Sequence, residues 1–416
     1  MNLILMYLFI MQLLLLIIIH LYFVASNPYI NETAHKLKYI LSCRHTRCVP
    51  RLGMKVDSLA EKTLKAMRNT DRLSEYLSVF NVSDCDLEAS DDYVRRHILD
   101  GLLITDDVPE THWNEYKSIY NKKYASQTHE EAALSVWKKN LRKVAEHNQL
   151  YLSGKRSYSL HLNMFGDWPL MSYVEDLLKL IWTIPLYDPA RDPHRTAYKR
   201  NLHQKIPREV DWRARGYKPR LEEQYHCGAC YAFAITHALQ AQVYKHHGDW
   251  RELSPQQIVD CSLPDGNQGC NGGSLEAALR YASRAGLIRE SYYPYRGKRG
   301  HCHYRSGEVS ARPRRWANLP PGDEQAIERA VATIGPLAVA VNAEPFTFQL
   351  YRSGIYDDPF CVPWKMNHAM LLVGYTPEYW VLLNWWGRHW GEGGYMRIRR
   401  GYNVCGVANM ATYVEL

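Results

Sequence analysis

The first pattern along the chain is a continuous apolar run at its start. Leu3 to Val24 is interrupted only by Gln12 and His20, and small residues follow as far as Ser26. This predicts a signal peptide over residues 1–26 that is cleaved after Ser26. The run is longer than a usual signal core and no Lys or Arg precedes it, so a retained membrane anchor is the alternative.

A polar, largely helical-looking extension of unassigned role covers residues 27–110, and the pattern changes after it. Spacings of four, three and three place Trp137, Leu141, Val144 and His147 on one apolar stripe, which predicts an amphipathic helix within residues 111–180. A stretch rich in Pro, Arg and Asp at residues 181–204 predicts a linker.

The remainder, residues 205–416, divides into a helix-rich first half and a strand-rich second half. A helix-length run from Tyr231 to His247 is closed by Gly248. Short apolar or alternating segments bounded by Gly and Pro predict strands. These segments are Leu337–Val341, Ala369–Tyr375, Tyr379–Leu383 and Tyr395–Arg399.

Composition and charge exclude some classes of partner but do not identify the function. The 416 residues carry a formal charge of +8 that is spread along the chain. The densest basic cluster, Arg312–Arg315, is interpreted as a solvated loop, and aromatic residues do not interleave with a basic stripe, so nucleic acid is not an expected partner. Membrane contact is expected only if the N-terminal run is retained.

Ten cysteines and the apolar N-terminus indicate an oxidising, secretory route. Seven cysteines lie after residue 204, so three disulfides and one free thiol are the simplest solution, with Cys230 the natural free one. Cys43 and Cys48 could pair locally, which leaves Cys85 over. Two glycosylation sequons begin at Asn31 and Asn81.

Cys230 is the strongest candidate for chemistry. It follows a glycine-containing turn and precedes the helix-length run, so the helix N-terminus is expected to stabilise its thiolate. A thiol that acts as a nucleophile on a carbonyl group also needs a base, a group that orients the base, and donors for the oxyanion. His368 and Asn384 lie 138 and 154 residues after Cys230, and Gln224 lies six residues before it.

The segment Cys227–Tyr231 fits the signature of papain-like and cathepsin cysteine proteases, and the His and Asn spacings are close to those of that family. Ile206–Arg213 resembles the start of the mature enzyme. Upstream, two groups of residues resemble motifs of cathepsin L-type propeptides, although Ala133 and His161 depart from them. These residues are Trp137, Asn140, Val144 and Asn148, and then Asn163, Phe165 and Asp167.

The resemblance implies an α+β, papain-like two-lobed fold, a helical lobe against a β-barrel lobe, preceded by a mainly helical inhibitory propeptide at 111–180. It implies that Cys230 and His368 form a thiolate–imidazolium pair, that Asn384 orients the imidazole, and that Gln224 serves the oxyanion hole. It further implies a substrate-binding set: Gly272, Gly273, Leu275, Ala340, Ala369, Trp386 and Met410. Six cysteines allow 15 pairings; the resemblance selects Cys227–Cys270, Cys261–Cys302 and Cys361–Cys405.

The expected partners are polypeptide substrates and the chain's own propeptide, and the resemblance also admits cystatin-type inhibitors. Localisation is expected to be lysosomal or extracellular. The sequence predicts no cofactor, and no metal, because the histidines at 246–247 and around Cys302 do not share a helix face. A cathepsin O-like or L-like branch is favoured.

Two departures keep an alternative open. Tyr231 stands where Trp is more frequent, and Trp385 replaces a small residue beside Asn384. Trp385 could reshape the cleft, so the competing hypothesis is a catalytically weak or silent homologue that acts by binding.

Overall fold

The computed structural model describes residues 110–182, 192–198, 204–248 and 250–416. The predicted signal or anchor, the extension at 27–110 with Cys43, Cys48 and Cys85, both sequons and much of the linker lie outside these residues. Within the described ranges no helix is both long enough and apolar enough to cross a membrane.

The described chain falls into two compact units, and the first comprises residues 110–134 and 141–153. It contains helix α1 (Glu110–Ile119) and most of helix α2 (Gln127–Leu152). Trp113 anchors this unit, because its ring lies 5.6 Å from Tyr116 and its indole N–H donates to Glu130 at 3.1 Å. Leu141, Val144 and His147 are buried as the helical stripe predicts.

The second unit comprises residues 135–140 and 154–416 and is built around a nine-stranded sheet. Its strand order is β1-β7-β10-β9-β8-β6-β11-β5, with β2 pairing to β8, and β3 and β4 form a separate pair. The strands are β1 (Tyr158–Leu160), β2 (Val210–Asp211), β3 (Leu287–Ile288), β4 (Val309–Ala311), β5 (Arg315–Asn318), β6 (Leu337–Val341), β7 (Tyr351–Tyr356), β8 (His368–Tyr375), β9 (Tyr379–Leu383), β10 (Tyr395–Arg399) and β11 (Ala411–Glu415).

The helices of this unit lie mostly in its first half, as predicted for an α+β fold. They are α3 (Leu170–Leu177), α4 (Cys230–His247), α5 (Pro255–Cys261), α6 (Leu275–Ala285), α7 (Glu324–Thr333) and α8 (Phe346–Gln349), with single 3₁₀ turns at Leu263–Asp265, Gly269–Asn271, Ser306–Glu308 and Val404–Gly406.

Burial explains why α4 and β8 form the centre of this unit. Every residue of helix α4 from Cys230 to Val243 is buried, and most of them are apolar. Gly248 ends the helix in the left-handed region at φ +62°, a conformation that costs glycine least. Strand β8 is buried along its whole length. The buried part of α4 packs against β8, and the thiol of Cys230 at the start of α4 contacts the backbone of Ala369 near the start of β8.

The N-terminal segment adds a strand to this sheet. Tyr158 and Ser159 of β1 pair antiparallel with Gly354 and Ser353 of β7. The pair is buried, and the Tyr158 hydroxyl donates to Asp358 at 3.2 Å. The sequence predicted a mainly helical segment here, and this three-residue strand was not foreseen because it is too short to show alternation.

Candidate active site

Cys230 is the first residue of α4 and is buried. Its thiol lies against the backbone of Ala369, the second residue of β8. Burial raises the pKa of the thiol to about 12, although hydrogen bonds from the backbone of Ala369, Tyr231 and Cys230 itself favour the thiolate. In this structure, desolvation therefore opposes the thiolate that the helix N-terminus is expected to stabilise.

His368 begins β8 and directly precedes Ala369, whose backbone contacts the thiol. Asn384 follows β9, so pairing of β8 with β9 brings His368 and Asn384 together. The imidazole Nε2 donates to Asn384 Oδ1 at 2.8 Å, since that oxygen only accepts. Burial lowers the pKa of His368 to about 4, and the hydrogen bond to Asn384 opposes that shift. With Nε2 protonated, the neutral ring carries its lone pair on Nδ1.

Trp386 covers the hydrogen bond between His368 and Asn384. Its ring lies 4.8 Å from the imidazole at an interplanar angle of 23°. Its indole N–H donates to Gln224 Oε1 at 3.1 Å, so one aromatic ring connects the imidazole with the glutamine. The structure thus brings together His368, Asn384, Gln224 and Trp386, which the sequence singled out at distant positions.

Residues 177–181 of the N-terminal segment lie across this site. The Gln224 side-chain amide donates to the carbonyl oxygens of Cys227 at 2.9 Å and of Leu177 at 3.3 Å. Farther along, the Leu180 N–H donates to Asn367 and the Ile181 N–H donates to Gly273. The segment therefore occupies hydrogen-bonding groups of the cleft that the main chain of a substrate would need.

Glycine is required where this segment approaches most closely. A Cβ atom added to Gly272, which has φ +114°, would stand 2.2 Å from the carbonyl oxygen of Lys179. A Cβ on Gly273 would meet the side-chain oxygen of Asn267 at 2.4 Å and the ring of Tyr231 at 2.8 Å. A side chain at Gly272 would push the crossing segment away, and one at Gly273 would displace Asn267 and the Tyr231 ring.

Three of the apolar substrate-pocket candidates are neighbours in the sheet. Ala340 of β6 is the register partner of Ala369 in β8, and the Ala340 N–H donates to the carbonyl oxygen of Met410 at 2.9 Å. Leu275 is the buried first residue of α6, two positions after Gly273. Small and apolar side chains at these positions fit an apolar pocket.

Trp385 does not enter the cleft. It is fully buried, its ring stacks on Phe233 at 5.5 Å, and it lies 4.7 Å from the ring of His237. Its indole N–H donates to Ala369, and its backbone carbonyl accepts from Gln224. The residue that raised the alternative of a reshaped cleft instead fills the interior behind it.

The structure forms the three disulfides that the resemblance implies, Cys227–Cys270, Cys261–Cys302 and Cys361–Cys405. Cys230 is the free cysteine among the described residues. Across those same ranges, no group of three or more His, Cys, Asp or Glu side chains is arranged to hold a metal ion.

Sequence comparison assigns both parts of the chain. Residues 206–415 match the papain family cysteine protease family, and residues 113–171 match the cathepsin propeptide inhibitor domain. The chain belongs to the papain family. It is a cysteine-type peptidase with an N-terminal inhibitory propeptide.

Known relatives agree with this assignment. The chain is 36% identical to cathepsin L of Sarcophaga peregrina over 74% of its own length and 93% of that protein. It is 37% identical to cathepsin S of Bos taurus, over 75% and 94% respectively. Digestive procathepsin L 3 of Tenebrio molitor superposes with a TM-score of 0.69 at 32% identity, covering 74% of this chain and 99% of that structure.

Sequence reasoning missed two residues at the site. Asn367 accepts from Leu180 through its backbone and from the Ala343 N–H through its side chain at 2.8 Å. His226 contacts the propeptide from the rim of the cleft. Their only sequence signal was nearness to His368 and Gln224 along the chain, which does not tell which way a side chain points.

Proposed function

We propose that this peptidase hydrolyses internal peptide bonds through a thioester on Cys230 and is made as an inactive zymogen. The proposal is carried by the hydrogen bond between His368 and Asn384, together with the contact of the free Cys230 thiol with the backbone of Ala369, the residue after His368. A base held in one tautomer next to a thiol is the arrangement that nucleophilic catalysis by cysteine requires.

The thiol proton passes to His368, and the sulfur attacks the substrate carbonyl carbon. The resulting oxyanion accepts hydrogen bonds from the Gln224 amide and from the backbone N–H of Cys230. Collapse of this intermediate breaks the C–N bond, and the imidazolium gives its proton to the departing amine. His368 then removes a proton from water, whose oxygen attacks the thioester to release the acid and restore the thiol.

The propeptide keeps the Cys230 thiol and the His368 imidazole uncharged. While residues 177–181 cover the site, burial disfavours both the thiolate and the imidazolium, which is reflected in the pKa values of Cys230 near 12 and His368 near 4. Its departure admits water and restores a thiolate–imidazolium pair. Cleavage between Gln204 and Pro207 would release a catalytic domain spanning 205–416, leaving 111–180 as the propeptide and 181–204 as the processed linker.

An apolar pocket formed by Leu275, Ala340, Ala369 and Met410 favours an aliphatic or aromatic side chain two residues before the scissile bond. The secretory route to a lysosome or the extracellular space stays a prediction, as does binding of cystatin-type inhibitors.

The direct test is acid processing of the full chain followed by hydrolysis of quenched fluorescent peptides. The native protein is expected to cleave peptides with Leu or Phe two residues before the bond, and Cys230→Ala is expected to cleave none. Equal activity of both proteins would reject Cys230 as the nucleophile.

A further inference from the structure

His226 stands on the rim of the cleft, two residues after Gln224 and four before Cys230. Its side chain is 71% exposed even though the propeptide contacts it. The ring stacks on Trp168 with centroids 4.8 Å apart, and Nδ1 lies 3.3 Å from Asp176 Oδ2. Removal of the propeptide takes away both of these contacts and leaves an aromatic, hydrogen-bonding surface beside the nucleophile.

The loop around His226 is fixed before any substrate arrives. Gln224 is fully buried on one side, and Cys227 is held in its disulfide with Cys270 on the other. Tyr225 adopts φ +51°, an uncommon conformation for a residue with a side chain, and its ring stacks parallel to that of Tyr295. A side chain presented by such a loop loses little freedom on binding.

The contacts of the propeptide locate His226 relative to the scissile bond. Asp176 directly precedes Leu177, whose carbonyl oxygen accepts from Gln224. Trp168 packs against Phe165, and Phe165 packs edge-on against Trp386 at 5.4 Å. His226 therefore lies on the Trp386 side of Cys230.

The other half of the propeptide crossing lies elsewhere. Lys179 and Leu180 contact Gly272 and Gly273. These glycines closely precede Leu275, which belongs to the pocket proposed for the side chain two residues before the bond. His226 is thus assigned to the leaving-group side of the cleft.

We infer that His226 is a specificity-determining residue that selects an acidic side chain on the leaving-group side of the substrate. The inference rests on the proposed peptidase function and names a substrate preference within it. The imidazole contacts the Asp176 carboxylate in the zymogen, and a substrate carboxylate takes that place in the mature enzyme. A basic side chain there meets a like charge when the imidazole is protonated.

The test compares kcat/KM of the acid-processed enzyme on matched peptides at about pH 5. The peptides differ only by Glu, Gln or Lys at each of the first three leaving-group positions. The native enzyme is expected to favour Glu over Gln at one position by about twofold to fivefold, the range of an exposed ion pair.

Variants of His226 separate this role from a general effect on the site. His226→Asn is expected to lose the preference while the rate of Cys230 alkylation stays unchanged, and His226→Lys is expected to keep it. His246→Asn, an exposed histidine near the far end of α4, serves as the control and is expected to behave as the native enzyme.

A Glu preference that survives in His226→Asn, or its absence from the native enzyme, would overturn the inference and leave the peptidase function standing. Failure to cleave any of the peptides would overturn the proposed function and the inference together.

Discussion

The indole N–H of Trp385 donates a 2.8 Å hydrogen bond to the backbone carbonyl of Ala369. Ala369 is the residue whose backbone faces the Cys230 thiol, and Trp385 directly follows Asn384. The bond therefore connects the strand that carries His368 to the segment that carries the residue orienting it. From the sequence, Trp385 could have reshaped the cleft; in the structure it packs behind the site and supports it.

Substitutions at Trp385 test this support. Trp385→Phe keeps most of the packing and leaves the buried Ala369 carbonyl without its donor, so we expect unfolding free energy to fall by about 1–3 kcal/mol. Trp385→Ala also leaves a cavity, and the expected loss is about 3–5 kcal/mol. Chemical denaturation of the zymogen measures both. Trp364→Phe is the matched control, because Trp364 is 67% exposed and its replacement is expected to change nothing measurable. Native-like stability of Trp385→Ala would refute the supporting role.

Gln224 provides a test of the oxyanion assignment. Gln224→Glu keeps the size of the side chain and removes the amide donor, so kcat is expected to fall by about 10²–10³-fold, with a smaller effect on KM. Active-site titration of the processed enzyme should still count one reactive thiol per chain. An unchanged kcat would show that this amide does not act on the transition state.

Gly272 serves both the propeptide and the substrate, because its missing side chain leaves room for a backbone. In Gly272→Ala the new Cβ collides with the Lys179 carbonyl, and φ +114° is strained for alanine. We expect weaker inhibition by the propeptide and a lower kcat/KM on every peptide. The expected result is peptidase activity of the unprocessed zymogen at neutral pH, together with a lower kcat/KM of the mature enzyme. Full retention of both properties would contradict the close approach.

The buried propeptide histidine His161 predicts a pH dependence. Its backbone N–H donates to Leu350, and burial holds its pKa well below 6.5, with Arg352 and His389 adding to the shift. In the released propeptide the same imidazole titrates near its ordinary value of about 6.5. Below that pH the released state binds a proton that the docked state excludes, so falling pH favours release, by up to about 1.4 kcal/mol per pH unit until the docked imidazole itself titrates.

His161→Gln removes this linkage, and its zymogen is expected to need a lower pH for half-maximal processing. The exposed His129, replaced by Gln, is the control and should process like the native chain. The measurement is the pH of half-maximal propeptide loss, followed by gel electrophoresis. A midpoint in His161→Gln equal to or above the native value would exclude His161 as a contributor.

The main chemical groups of the site could be predicted from the sequence, because they stand in short local motifs. Cys230 follows a recognisable turn, and β9 and β10 have the predicted bounds because their apolar runs are clear. Helix α4 begins one residue before the predicted run, at Cys230 itself. The disulfide pairs followed from resemblance and could not follow from counting.

What the sequence could not provide depends on three-dimensional placement. The inward direction of Trp385 depends on room beside Phe233 and His237, which no local pattern reveals. The raised pKa of Cys230 depends on how deeply the folded chain buries the thiol. The sequence predicts a simple linker at the described residues 192–198. In the structure, Asp192 accepts a hydrogen bond from Arg280 at 2.7 Å, and Arg195 forms an isolated β-bridge with Trp316.

The most direct measurement of the central claim is labelling of Cys230 with an epoxide that traps thiol proteases, read by mass spectrometry before and after acid processing. The processed enzyme is expected to take up one label at Cys230. The intact zymogen is expected to take up none, because burial keeps the thiol protonated, and processed His368→Ala should react far more slowly. A folded, processed protein whose Cys230 stays unlabelled and which cuts no peptide would contradict the account.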